Sequence, residues 1–123
     1  MSDLYVELHR ANCWLVVQPN GDLTMSTGSK LFDKVHAAIQ ELELTNVLFD
    51  MSRLKIIDSS GLGTLIAIHR HLQVGGGRLR IAECNRLLDT LLKTTHLDRD
   101  IPQFATVEDA LLYAEDNAPA SAA

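Results

Sequence analysis

The sequence predicts a single α/β domain on a mixed, mostly parallel β-sheet, with an antiparallel N-terminal pair and helices mainly on one side. Three observations carry this. Leu4 to His9 alternates apolar and polar residues, and after Arg10-Ala11-Asn12 comes the apolar run Cys13 to Gln18, so a short connection joins two antiparallel strands. Val47-Leu48-Phe49 is apolar without alternation, the pattern of a strand covered on both faces in a parallel sheet. Beyond it, strand-like runs alternate with segments of helical periodicity, which requires right-handed crossovers.

The elements follow in order. Pro19-Asn20-Gly21-Asp22 reads as a turn that ends the second strand. Ser26 and Thr27 are N-cap candidates for a helix running to about Glu43, with Leu31, Phe32, Val35, Ile39 and Leu42 on its buried face. Asn46 ends that helix, and Met51, Leu54, Ile56 and Ile57 continue the buried third strand toward its exit. The corner Asp58-Ser59-Ser60-Gly61-Leu62-Gly63 leads into a helix from about Ser60 to Val74, stopped by Gly75-Gly76-Gly77. Arg78 to Glu83 is a fourth strand, with Leu79 and Ile81 inward. Asn85 caps a short helix with a stripe of Leu87, Leu88, Leu91 and Leu92. Ile101 to Phe104 is an edge strand marked by Pro102. Thr106, with Asp109 three residues on, opens a last helix presenting Val107, Ala110, Leu111 and Ala114. The domain is expected to span 1–117, and 118–123 to form a disordered tail.

Composition narrows the function. Of 123 residues 46% are hydrophobic and 22% charged, which is globular. A net charge of −5 and a pI near 5.4 argue against nucleic acid or anionic membrane as a general partner. No apolar run is long enough to span a bilayer, so no membrane insertion is expected. Met1-Ser2-Asp3-Leu4 has neither the basic nor the apolar region of a secretory signal, and a cytoplasmic location is expected. Cys13 and Cys84 each fall in an apolar strand and are expected to be buried free thiols.

Several motifs fail on inspection. Gly61-Leu62-Gly63-Thr64-Leu65-Ile66 approaches a dinucleotide fingerprint, but Ile66 holds the third glycine position and no phosphate-loop lysine exists. Gly75-Gly76-Gly77 lies between helix and strand, the wrong order for a phosphate cradle. No cofactor is expected. His9, His36, His69, His71 and His96 show no metal-ligand spacing, so no metal is expected either. His69 falls on the stripe of Leu62, Leu65, Ile66 and Leu72 and is expected to be a satisfied, partly buried histidine, with His71 on the opposite side. A Ser-His-Asp triad can be drawn from Ser59, one histidine and Asp58, but adjacent Asp and Ser cannot relay through an imidazole and no Gly-x-Ser-x-Gly elbow exists, so no catalysis is expected.

The corner remains. Asp58 or Ser59 can cap the helix, which contributes about 1 kcal/mol. One carboxylate and two hydroxyls in a row exceed what a cap requires. Gly61 and Gly63 each cost about 1 kcal/mol against alanine in a helix, which suits close approach of another backbone or a bulky group. A phosphoryl group here would meet free backbone N–H groups and the positive helix end. The helical wheel puts Ser60 rather than Ser59 opposite the apolar stripe, and a residue at the cap need not follow the wheel.

With Asp58-Ser59-Ser60-Gly61-Leu62-Gly63, Gly21-Asp22-Leu23, Gly76-Gly77-Arg78-Leu79 and Thr95-His96-Leu97 in place, the chain from Leu4 to Glu115 resembles a STAS domain, specifically a bacterial anti-sigma factor antagonist. The resemblance implies that Ser59, with Ser60 as second choice, accepts a phosphoryl group. The donor would be a serine protein kinase of the histidine-kinase-like ATPase type, often an anti-sigma factor, which is also the binding partner. A PP2C-type phosphatase would reverse the modification. The unphosphorylated form would hold the kinase and the phosphorylated form release it, without activity of its own; with no obvious extra apolar surface in the sequence, a monomer is the expectation. Asp22, Thr24, Asp58, Ser60, Gly61 and Gly63 are expected to line the partner surface. The family's turn often reads Gly-Glu-Leu-Asp; Gly21-Asp22-Leu23-Thr24 shortens the first acid and replaces the second. The alternative implied by the same family is a non-switching subunit regulating a transporter or a sensory assembly.

Overall fold

The computed structural model describes residues 3–113. The expected tail at 118–123, the domain end at 117 and the place of Ala114 on the last helix lie outside the described residues. Strands β1 (Leu4–Ala11) and β2 (Trp14–Leu23) form an antiparallel hairpin, followed by helix α1 (Gly28–Leu42) and strand β3 (Asn46–Asp50). Strand β4 (Leu54–Ile57), helix α2 (Ser59–Val74) and strand β5 (Leu79–Ala82) come next. Helix α3 (Arg86–Thr94), a 3-10 turn at Leu97–Arg99, strand β6 (Gln103–Phe104) and helix α4 (Val107–Leu112) complete the described chain. The sheet runs β1-β2-β3-β5-β6, antiparallel only at β1–β2, with β4 pairing β2 in parallel. This is the mixed, mostly parallel sheet that the sequence predicts.

Several boundaries differ, each for a physical reason. Pro19-Asn20-Gly21-Asp22 is no turn: β2 runs through it, and β1 pairs along its whole length. The Gly21 N–H points to β4, where it meets the Arg53 carbonyl at 3.1 Å, so the N–H that Pro19 lacks two residues earlier would face the same side. That side is the interval between β3 pairing, which ends at Val17, and β4 pairing, which begins at Gly21. Gly21 takes φ 122° at a shift in the β2–β4 register, the backbone of a bulge.

The third strand is two strands. The chain turns after Asp50, with the Leu54 N–H on the Met51 carbonyl at 3.1 Å, and exposes Ser52 and Arg53. β4 then rejoins β2 beyond the end of β3, so Ile56, expected to be buried, is 52% exposed. Cys13 is exposed in the hairpin turn with Asn12, and Cys84 follows β5 partly buried, so neither lies within a strand. Glu43, at φ 56°, closes α1, and Asn46 opens β3 instead of ending the helix.

Two apolar layers sandwich the sheet. Leu15, Val17, Val47, Phe49, Leu79 and Ile81 face α1, α2 and α3, which contribute Leu31, Val35, Ile39, Leu62, Leu65, Ile68, Leu88 and Leu92. Leu87, expected on the α3 stripe, is 47% exposed. On the other face Trp14, Val16, Leu48 and Ala82 pack with Ala110 of α4, so three helices cover one side and one the other. Arg80 is 3% exposed in that second layer, and its guanidinium donates to the Ala110 carbonyl and lies 4.3 Å from the Trp14 ring centroid. Alternation along β5 thus sends Leu79 and Ile81 into the larger core and Arg80 and Ala82 to the smaller one.

Candidate functional site

The corner sits where parallel pairing places the carboxyl ends of β2 and β4 side by side. Asp22 is in register with Ile56 and Leu23 with Ile57, and the Asp58 N–H reaches the Leu23 carbonyl at 3.3 Å. Two segments distant in sequence, Asp22–Thr24 and Asp58–Ser60, thereby become neighbours. The crevice outside the carboxyl ends of parallel strands is where open α/β sheets place their ligands.

Asp58 is the N-cap of α2. Its backbone is extended at φ −112° and ψ −175°, and its carboxylate accepts the Gly61 N–H at 2.8 Å. The Leu62 N–H takes the Asp58 carbonyl at 3.0 Å. Ser59 and Ser60 are therefore the first two helical residues; both are exposed, and among the described residues nothing accepts from their N–H groups. Neither serine hydroxyl is engaged among the described residues. The helix end thus offers two free donors, its positive pole and two free hydroxyls.

The neighbouring loop is tied down from within. Thr27, at the N-cap position of α1, uses its hydroxyl to donate to the Asp22 carbonyl at 2.8 Å and to accept the Thr24 N–H at 2.9 Å. It caps the loop rather than the helix, a use that the sequence pattern alone does not reveal. The Thr24 hydroxyl lies 3.1 Å from that of Ser26, and Met25 at the loop tip is 80% exposed.

The two glycines of the corner differ. Gly61 is buried, and a Cβ there would collide with the Leu23 carbonyl and stand 3.0 Å from Ile57 Cγ1. It faces the β2–β4 junction rather than the outer surface, because α2 must approach β2 closely for Asp58 to bond Leu23. Gly63 is exposed, and a Cβ there would meet nothing within 4 Å. Asp58, Ser59, Ser60 and Gly63 are exposed together, with Asp22 and Thr24 half-buried beside them. Met25 and Ile56 add exposed apolar surface beside this corner, which reading Ile56 as part of a buried strand had concealed.

His69 departs from expectation. It is partly buried, yet its Nδ1 is enclosed without a hydrogen-bond partner. Desolvation holds its pKa below the usual histidine value, with Asp100 opposing and Arg70 adding to the shift. It lies beside a cleft of about 210 Å³ with Gln73, Arg78 and Asp100, at the other end of α2 from Ser59. A larger cleft of about 530 Å³ borders Cys84, Asn85, Arg86 and Gln103 at the ends of β5 and β6. Burial, aided by Asp89, pushes the Cys84 thiol up to about 11, so the cleft holds no ready nucleophile.

The STAS domain family model matches residues 5–110. The chain belongs to the STAS domain family. Among relatives, the anti-sigma F factor antagonist of Paenibacillus polymyxa is 24% identical over 113 residues, covering 92% of this chain and 97% of that one. Among solved structures, a candidate anti-sigma factor antagonist from Thermotoga maritima superposes with a TM-score of 0.80 at 20% identity, covering 86% of this chain and 91% of the other. The Bacillus cell fate determinant SpoIIAA in its phosphorylated form gives a TM-score of 0.70 at 22% identity, covering 87% and 96%. In this STAS chain the Asp58 corner closes the strand that completes β2, and α2 starts from it. Among the described residues no helix is long and apolar enough to cross a membrane.

Proposed function

We propose that this STAS domain is a cytoplasmic anti-sigma factor antagonist, a binding protein without catalysis, switched by phosphorylation of Ser59. The observation that carries the proposal is the free serine pair at the start of α2, exposed beside a carboxylate already committed to the Gly61 N–H. The partner is a serine protein kinase that doubles as the anti-sigma factor, of the histidine-kinase-like ATPase type, and a PP2C-type phosphatase resets the switch. A relative named an anti-sigma F factor antagonist and a fold neighbour described in phosphorylated form support this reading.

The switch acts on binding rather than on the fold. Phosphorylation adds about −1.5 to −2 charges. At a helix N-terminus the added charge is stabilised by roughly 0.3–2 kcal/mol, so the domain tolerates it. A docked partner, contacting Asp22, Thr24, Met25, Ser60 and Gly63, would have to desolvate that charge beside Asp58. Burying an unpaired charge costs several kcal/mol, and about 1.4 kcal/mol is tenfold in affinity. A loss of two decades or more follows without rearrangement.

The test is phosphopeptide mapping after incubation with the cognate kinase and ATP, together with kinase binding by the variants. Label is expected on Ser59. Ser59→Ala is expected to bind the kinase whether or not ATP has been consumed, and Ser59→Asp to bind about 100-fold more weakly. Label confined to Ser60 would move the site by one residue. An unlabelled protein that co-purifies with a membrane ATPase would overturn the switch in favour of the transporter reading.

A further inference from the structure

Helices α1 and α2 pack against each other in front of the sheet, and each gives one histidine to their exposed seam. His36 Nδ1 and His71 Nε2 stand 3.0 Å apart, although 35 residues separate them in sequence. Their rings meet at 4.9 Å between centroids and 62° between planes. Phe32, one turn before His36, lies against both: stacked with His36 at 6.3 Å and tilted to His71 at 5.6 Å. The aromatic contact limits how either ring can turn. His71 is exposed and His36 half-buried, and neither ring has another hydrogen-bond partner among the described residues.

We propose that His36 and His71 form a binding site for a divalent late transition ion, with Cu2+ preferred. Imidazole nitrogen is a ligand these ions favour, and the affinity order places Cu2+ above Zn2+. Two nitrogens 3.0 Å apart, each about 2.0–2.1 Å from a shared ion, subtend roughly a right angle. That is the angle between adjacent ligands in a tetragonal site, narrower than the tetrahedral angle that zinc prefers. Each ligating nitrogen must be unprotonated. On binding, the proton that now joins the rings moves to the outer nitrogen of its own ring, His36 Nε2 or His71 Nδ1. Among the described residues no group of three or more His, Cys, Asp or Glu gathers around a common point, so water completes the coordination.

The ion would tie α1 to α2 and would require the folded chain, because the unfolded chain does not hold the two histidines together. Binding therefore stabilises the domain by mass action: ion at about 100 times its dissociation constant shifts the folding equilibrium about 100-fold. The test uses the full chain without an affinity tag, titrated with CuCl2 and separately with ZnCl2. One Cu2+ is expected per chain, bound more tightly than Zn2+, with electron paramagnetic resonance showing hyperfine coupling to two nitrogens. His36→Gln and His71→Gln, each checked for folding by circular dichroism, are each expected to lose one nitrogen coupling and at least tenfold in affinity. His9→Gln is expected to bind as the unmodified chain does. Absence of saturable binding up to about 1 mM ion, where the mass-action shift would be large, would overturn the site. So would binding undiminished in the His36 and His71 variants.

Discussion

Gly61 and Gly63 stand two residues apart on one helix, and alanine is expected to have opposite effects at them. At Gly63 a methyl group enters open space, so only backbone propensity changes, and Gly63→Ala is expected to stabilise by up to about 1 kcal/mol. At Gly61 the same propensity gain is outweighed. The new Cβ falls on the Leu23 carbonyl, a backbone atom that cannot swing aside and that already accepts the Asp58 N–H. Overpacking of this kind costs about 1–3 kcal/mol. Pushing α2 outward also loosens the Asp58–Gly61 cap, which contributes about 1 kcal/mol. Against the propensity gain, a net loss of about 1–3 kcal/mol remains, or a fall of roughly 4–12 °C in Tm for a domain of this size. Thermal and urea unfolding followed by circular dichroism measure both variants under the same conditions. A Gly61→Ala protein as stable as the unmodified chain would refute the close-approach argument. A Gly63→Ala protein destabilised by more than about 1 kcal/mol would refute the open-surface argument.

Asp58→Ala is expected to cost about 1 kcal/mol through loss of the cap, and Asp58→Asn much less, because an amide oxygen still accepts the Gly61 N–H; urea titration separates the two. His69 has its pKa lowered in the folded chain, so the unfolded chain binds the proton more readily. Its contribution to stability is therefore full above the ordinary histidine value of 6.5 and declines as pH falls below it. His69→Gln is expected to flatten that acid limb of the stability curve, measured as unfolding midpoints from pH 8 down to about pH 5. Exposed Cys13 is expected to react with a thiol reagent at pH 8 in the native state, while Cys84, raised to about 11 by burial and Asp89, reacts only after unfolding. Two equally fast thiols would contradict that assignment.

What could be read beforehand was whatever depends on local periodicity and caps. The α2 stripe, the α1 stripe up to Ile39, the Asn85 and Thr106 caps and the corner itself appear where residue spacing places them, while Leu42, expected on the α1 stripe, is 38% exposed in the last turn of the helix. What escaped depends on neighbours in space. Pro19-Asn20-Gly21-Asp22 has the composition of a turn, and only the interval between β3 and β4 shows why a proline fits inside β2. Leu54–Ile57 continues the apolar character of β3, and only the turn after Asp50 separates them. In the site, only the resemblance joins Asp22 and Thr24 to the corner, and the β2–β4 register gives the physical reason that they lie beside it. The inward turn of Gly61 and the meeting of His36 with His71 have no signature in residue order, because each depends on how α2 lies against another element.

The β2–β4 ladder has one more consequence. The exposed face around Ser59 is discontinuous: Thr24 and Met25 come from one end of a strand pair, and Asp58 to Ser60 from another segment more than thirty residues later. No linear peptide contains it, and the chain presents it only while Leu23 and Ile57 stay in register. On the reading proposed above, a kinase that modifies Ser59 recognises a shape rather than a sequence string. Short peptides spanning the corner are then poor substrates, and an unfolding domain drops out of the circuit before it can send a false signal.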